Sequence, residues 1–204
     1  MIAIIDYGVG NLGSIRNMFR RIGADAEVGA GTEIRRAHKL VLPGVGAFDA
    51  GMKNLSDAGL IALLEDRVLG ERVPILGLCL GLQLFGQGSE EGTRAGLGWI
   101  EAVSRRFSSS DGATVLRVPH MGWNAITVRC PNPLLDGLDD SSRFYFAHSY
   151  HLSCAHAADI LATTRHGYPF PSILRKGNIM GTQFHPEKSH RYGLQLLRNF
   201  ASSV

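Results

Sequence analysis

The sequence predicts an α/β chain with a mixed, mostly parallel central sheet flanked by helices, and an added antiparallel portion in its second half. Three observations carry this reading. Up to Gly98, short apolar runs alternate with amphipathic stretches, the pattern of βαβ units. Beyond Gly98, strand-like runs follow one another across short turns. Glycine-bearing segments join the apolar runs of the first half to helices, where ligands gather at the carboxyl ends of parallel strands.

In chain order, Ile2 to Asp6 reads as a buried strand, and Leu12 to Ile22 as a helix with Ile15, Met18, Phe19 and Ile22 on one face. Ala24 to Val28 and Lys39 to Leu42 are the next strands, and Phe48 to Leu64 is a long helix. Val73 to Leu78 is a strand leading into a short helix, Leu80 to Phe85. In the second half, Ile100 to Phe107, Val115 to Val118, Ala125 to Val128 and Phe144 to Ser149 read as strands, and the polar stretch Ser108 to Gly112 as an exposed turn. Ile160 to Thr163, Ile173 to Arg175 and Ile179 to Phe184 complete the strands, and Gly193 to Phe200 closes as a helix. With no repeat, linker or low-complexity tract, residues 1–204 are expected to form a single domain.

Composition narrows the function classes. A hydrophobic content of 45% with 19% charged residues fits a soluble globular protein, and a net charge of +3 is too small and too spread to argue for nucleic acid. No window approaches the roughly eighteen apolar residues of a membrane span, and Asp6 follows too soon for a signal peptide. Cys79, Cys130 and Cys154 are odd in number and far apart, which argues against a disulfide framework and suits a reducing cytoplasm.

Cys79 lies in Gly77-Leu78-Cys79-Leu80-Gly81, directly after an apolar run. Small residues two before and two after a nucleophile permit the sharp strand-to-helix turn that lifts a reactive side chain above a sheet. A thiol there needs a base, and a base needs a third group to orient it; His185-Pro186-Glu187 offers both. The bland alternative is an inert core cysteine. The Leu42-Pro43-Gly44-Val45-Gly46-Ala47-Phe48 loop is a candidate for a second oxyanion donor through Val45 and Gly46, beside the backbone N–H of Leu80. Asp6-Tyr7-Gly8-Val9-Gly10-Asn11 lacks the third glycine of a dinucleotide fingerprint, so it reads as a shaped loop and no nucleotide cofactor is expected. No close-spaced ligand pair accompanies Cys79, His185 and Glu187, so no metal is expected. Trp123, in His120-Met121-Gly122-Trp123-Asn124, is by its spacing a core plug or a partner hot spot. His148-Ser149-Tyr150-His151 either lines a pocket or holds a satisfied core histidine.

Taken together, Pro43-Gly44-Val45-Gly46, the Cys79 segment extended to Gln83, and Gln183-Phe184-His185-Pro186-Glu187 resemble the class I (triad) glutamine amidotransferases. The segments around Tyr7, Trp123 and His148 narrow the resemblance to the glutaminase subunit of imidazole glycerol phosphate synthase, the HisH family, from Met1 to about Phe200. The resemblance implies a flavodoxin-like fold and a cytoplasmic glutaminase forming a heterodimer with a (β/α)8-barrel cyclase. In that reading Cys79 attacks L-glutamine to form a thioester, His185 is base then acid, and Glu187 orients it. Gln83 and Glu91 would hold the substrate with backbone groups of Gly44, Gly46, Ser149 and Tyr150, while Asn11, Trp123 and Lys188 face the partner. The released ammonia would pass to the cyclase, which makes imidazole glycerol phosphate and an aminoimidazole carboxamide nucleotide. Phe48 to Leu55 and Ser149-Tyr150-His151 also resemble a paralogous group that supplies ammonia for sugar amidation in surface-polysaccharide synthesis. Readings of another class are a non-catalytic flavodoxin-like binding module and a cysteine peptidase.

Overall fold

The chain's first five residues already show how its central layer is built: Ile2 and Ile4 pack to one side, Ala3 and Ile5 to the other. In the computed structural model, which describes residues 1–108 and 116–203, they form β1 (Ile2–Ile5). There follow α1 (Leu12–Arg21), β2 (Ala26–Gly29), α2 (Thr32–Arg36), β3 (Lys39–Leu42), α3 (Phe48–Asp57), α4 (Leu60–Glu65), β4 (Ile75–Leu78) and α5 (Leu80–Leu84). The second half adds β5 (Gly88–Ser89), β6 (Ala102–Arg106), β7 (His120–Ala125), β8 (Thr127–Val128), β9 (Arg143–His148) and β10 (Tyr150–Cys154). It ends with β11 (Ile160–His166), β12 (Tyr168–Lys176), β13 (Ile179–Thr182) and α6 (His190–Ser203).

An eight-stranded sheet runs in the order β2-β1-β3-β4-β13-β12-β11-β8. Its first five strands are parallel, and β13 to β8 are joined by antiparallel pairs. β1 and β4 are buried on both faces, which is why they read as unbroken apolar runs rather than alternating ones. Helices α1 and α6 cover one face through Ile15, Phe19, Leu197 and Phe200, while α3 to α5 cover the other through Phe48, Leu64 and Leu82. Two further sheets, β10-β6-β5 and β7-β9, stand beside the large one. Among the described residues no helix is long and apolar enough to cross a membrane.

Several segments differ from the sequence reading. The helix expected from Phe48 to Leu64 breaks where Gly59 adopts φ 66°, a left-handed turn that ends α3 and starts α4. Of the strand expected over Val115–Val118, residues 116–118 have no strand; Val115 and most of the expected Ser108–Gly112 turn lie outside the described residues. The His120–Asn124 segment, which is not among the strands expected from the sequence, is strand β7 paired with β9. Helix α6 begins at His190, three residues before the expected start.

Candidate active site

Cys79 stands between β4 and α5 with φ 53° and ψ −107°, a backbone state costing an L-residue about 1–3 kcal/mol. The turn is possible because the residues two before and two after Cys79 carry no side chain. A Cβ on Gly81 would lie 1.9 Å from the Leu42 carbonyl oxygen, and one on Gly77 would lie 2.5 Å from the Phe85 ring. The Cys79 N–H donates to the Thr182 carbonyl at 2.8 Å, which ties the turn to the end of β13.

The same strand end delivers the base. The chain leaves β13 through Gln183 and Phe184, and the His185 N–H donates to the Tyr145 carbonyl of β9 at 2.9 Å. The Ser189 hydroxyl donates to the His185 carbonyl at 2.6 Å and accepts from the Tyr145 N–H at 3.0 Å. His185 lines the same cavity as Cys79, near enough for the thiol to act on the imidazole, and its Nδ1 donates to Glu187 Oε1 at 2.9 Å. Both side chains of this pair are almost fully buried. Burial works against charging His185, but the hydrogen bonds and negative charge of Cys79 and Glu187 outweigh it and push its pKa up to about 10. The nominated nucleophile from one segment and the nominated base and carboxylate from another are thus brought to one cavity.

A cavity of ≈ 240 Å³ opens over Cys79. Gln83 and Glu91 line one part of it, Ser149 and Tyr150 another, and Val45, Gly46 and Leu80 a third. Gln83 Nε2 donates to the Tyr150 carbonyl at 2.9 Å and to Gln183 Oε1 at 3.1 Å. Glu91 Oε2 accepts the Phe48 N–H at 2.8 Å at the start of α3, where the helix dipole favours a carboxylate. Gly44 is outside the cavity lining but packs tightly beneath it; a Cβ there would lie 2.8 Å from Leu80 Cβ, the Gly81 nitrogen and the Tyr7 hydroxyl.

One expected feature is arranged differently. The Leu80 N–H, nominated as an oxyanion donor, is engaged by the Gly44 carbonyl at 3.4 Å. Val45 beside it is 44% exposed, and Gly46 takes φ 108°. Nor is Trp123 a core plug: it is 46% exposed, with its ring stacked on His190 at 5.4 Å and edge-on to Tyr145. Lys188 holds its ammonium 5.6 Å from the Tyr145 ring centroid, next to the same surface. Asn11 is an exposed cap of α1, accepting the Ser14 N–H at 3.3 Å.

Residues outside the nominated set also shape the site. Gln183 Nε2 sits 3.7 Å from Cys79 Sγ, and its place two residues before His185 was the signal available. Tyr7 donates to the Pro43 carbonyl at 2.6 Å, and burial, then the nearby Cys79, raise its pKa far above the usual phenol value. Among the described residues, no group of three or more His, Cys, Asp or Glu is arranged to hold a metal.

Residues 3–204 match the family described as Glutamine amidotransferase class-I. The chain is 47% identical over 205 residues to imidazole glycerol phosphate synthase subunit HisH 2 of Pseudomonas aeruginosa, with 100% of each chain covered. It is 50% identical over 201 residues to the protein of the same name in Methanococcus maripaludis, covering 98% of each. A solved structure of a glutamine amidotransferase superposes with a TM-score of 0.69 at 21% identity, covering 96% of this chain and 98% of that one, a likeness of fold.

Proposed function

This chain belongs to the class-I glutamine amidotransferases and, within them, to the HisH family, and on that premise we propose that it is the glutaminase subunit of an imidazole glycerol phosphate synthase. The observation that carries the reading is the strained Cys79 turn opening into the same cavity as His185, whose Nδ1 donates to buried Glu187.

The reaction follows from these contacts. His185, readily protonated in this setting, holds the thiol proton while Cys79 sulfur attacks the carboxamide carbon of L-glutamine. Collapse of the tetrahedral intermediate breaks the C–N bond, the nitrogen takes the proton from His185 and leaves as ammonia, and a thioester remains. Water, deprotonated by His185, then attacks the thioester; the C–S bond breaks, releasing glutamate and returning the proton to the Cys79–His185 pair. Glu187 holds the imidazole in the tautomer that presents Nε2 to sulfur. Glu91 has one oxygen left for the substrate's α-ammonium group, and the backbone of Ser149 and Tyr150 faces the same cavity.

The Leu80 N–H bonded to the Gly44 carbonyl supports a gated site. Turnover requires the Gly44-Val45-Gly46 loop to swing so that this N–H, with one from Val45 or Gly46, meets the oxyanion; each donor is worth roughly 3–4 kcal/mol in the transition state. Exposed Val45, Met121 and Trp123 give a (β/α)8-barrel cyclase a surface on which to bias that swing; Lys188, on the Tyr145 ring beside Trp123, and exposed Asn11 would add polar contacts. The test is glutamate release by the chain alone, then with a histidine-pathway cyclase and its nucleotide. The expected result is slow hydrolysis alone and a large rise in the complex. Rapid hydrolysis by the lone chain would overturn the gate. No complex and no rise with nucleotide would overturn the histidine-pathway assignment, leaving a sugar-amidating acceptor to be tried.

A further inference from the structure

Histidines from four strands meet beside the cavity: His120 of β7, His148 of β9, His151 of β10 and His166 of β11. His120 stacks on His166 with centroids 4.3 Å apart, and Phe107 packs against all four rings. The first two also form a hydrogen-bonded chain whose direction can be worked out. His148 Nδ1 lies 2.7 Å from the Tyr150 carbonyl oxygen. A carbonyl only accepts, so Nδ1 carries the proton and, in a neutral ring, Nε2 is bare. That bare Nε2 faces His120 Nδ1 at 3.0 Å, which must therefore donate, leaving His120 Nε2 bare in turn. Asn124 Nδ2 donates to it at 3.1 Å and to the Arg165 carbonyl at 2.9 Å. The Asn124 oxygen accepts the Ala125 N–H at 2.9 Å, which fixes the amide's orientation.

The chain ends on the wall of the cavity. The Tyr150 carbonyl takes a second donor, Gln83 Nε2, so both its lone pairs are used. The preceding carbonyl, of Ser149, accepts the Phe107 N–H at 3.1 Å. The peptide units that line the cavity are therefore held at each carbonyl, and one holder is an imidazole.

We propose that His148 and His120 are positioning residues for glutamine. The one-way chain from Asn124 through His120 and His148 to the Tyr150 carbonyl holds the Ser149–Tyr150 backbone in its substrate-binding orientation. The inference rests on the glutaminase reading. It also requires both rings to stay neutral, since a proton on His148 would set two N–H groups against each other. Burial, and the imidazoles alongside, push His120 down to about 4 and His148 to about 3. The titratable groups facing the pair are His166 and His151, and behind His151 stand the Tyr168 hydroxyl and Glu90.

The test uses the complex with its cyclase partner and three variants. His148→Leu, which cannot donate to the Tyr150 carbonyl, should raise the KM for glutamine about ten-fold, with a smaller fall in kcat. His148→Asn, whose amide can still donate, should recover most of that loss. His120→Phe keeps the ring packing and breaks the chain one link back, so a KM rise of a few-fold is expected. Long-range proton–nitrogen NMR should find Nδ1–H and bare Nε2 on both histidines from about pH 5 to 8. A proton on His148 Nε2 in that range would overturn the proposal. So would wild-type KM in all three variants, or equal KM for the Leu and Asn variants. Should His148→Leu not fold, the other two variants and the tautomers still decide. A wild-type complex that turns over no glutamine would instead overturn the glutaminase reading, while the tautomer measurement would still report on the chain.

Discussion

His185 and His148 border the same cavity and are nearly equally buried, 3% and 7% exposed, yet their surroundings push their pKa values in opposite directions. Burial disfavours the imidazolium in both. His185 overcomes it because the hydrogen bonding and negative charge of nearby Cys79 and of the Glu187 carboxylate favour the charged ring, and its pKa rises. For His148 burial dominates: the hydrogen bond to the Tyr150 carbonyl favours the charged ring but is outweighed, the neighbouring imidazoles oppose it, and its pKa falls. Partner chemistry, more than depth of burial, separates the ring proposed as the base from the ring proposed to hold the wall.

The strongest way to break the comparison is to remove the carboxylate. Glu187→Gln keeps the shape of the side chain but loses its charge, and kcat for glutamine in the complex should fall about a thousand-fold. A fall of less than ten-fold would mean that Glu187 does not set the state of His185. A second intervention acts on the scaffold that presents sulfur to His185. Gly81→Ala drives a methyl into the Leu42 carbonyl, so denaturant unfolding should register a loss of roughly 2–4 kcal/mol. Unchanged stability would show that the turn relaxes freely.

The third and smallest effects are opposite pH limbs of stability. The raised pKa of His185 makes its contribution complete below the unfolded value of about 6.5, and it is lost as pH rises through about 10. The lowered values of His120 and His148 make theirs complete above about 6.5, and it is lost as pH falls toward 4 and 3. Urea unfolding from acid to alkali should therefore peak near neutrality. Glu187→Gln should flatten the alkaline limb and His120→Phe the acid limb; the reverse assignment would contradict the physical picture.

The two sites were also unequally legible in the sequence. Cys79 sits in a turn whose steric demands are met within five residues, so Gly77 and Gly81 announce it locally. His185 and Glu187 are one residue apart, and β1, β3 and β4 are apolar runs because both faces are covered. The histidine chain has no such local mark. His120 and His148 are 28 residues apart and meet only because β7 pairs with β9 in a two-stranded sheet. Strand β7 carries no strand signature in the sequence because its apolar Met121 and Trp123 face outward while His120, Gly122 and Asn124 take the more buried positions. The five-residue α2 is too short to show a helical period. The spacing around Trp123 leaves a core plug and a partner hot spot both open, and only the pairing of β7 with β9 turns it outward.

The most direct test of the central claim, that Cys79 is the nucleophile for glutamine, uses the three free cysteines as mutual controls. Treatment with a glutamine-analogue electrophile, followed by peptide mass mapping, should place one adduct on Cys79, with glutamine protecting it. Cys154, whose thiol burial pushes up to about 12, should stay unlabelled. Equal labelling of the Cys79→Ala variant, or labelling that glutamine does not slow, would contradict the account.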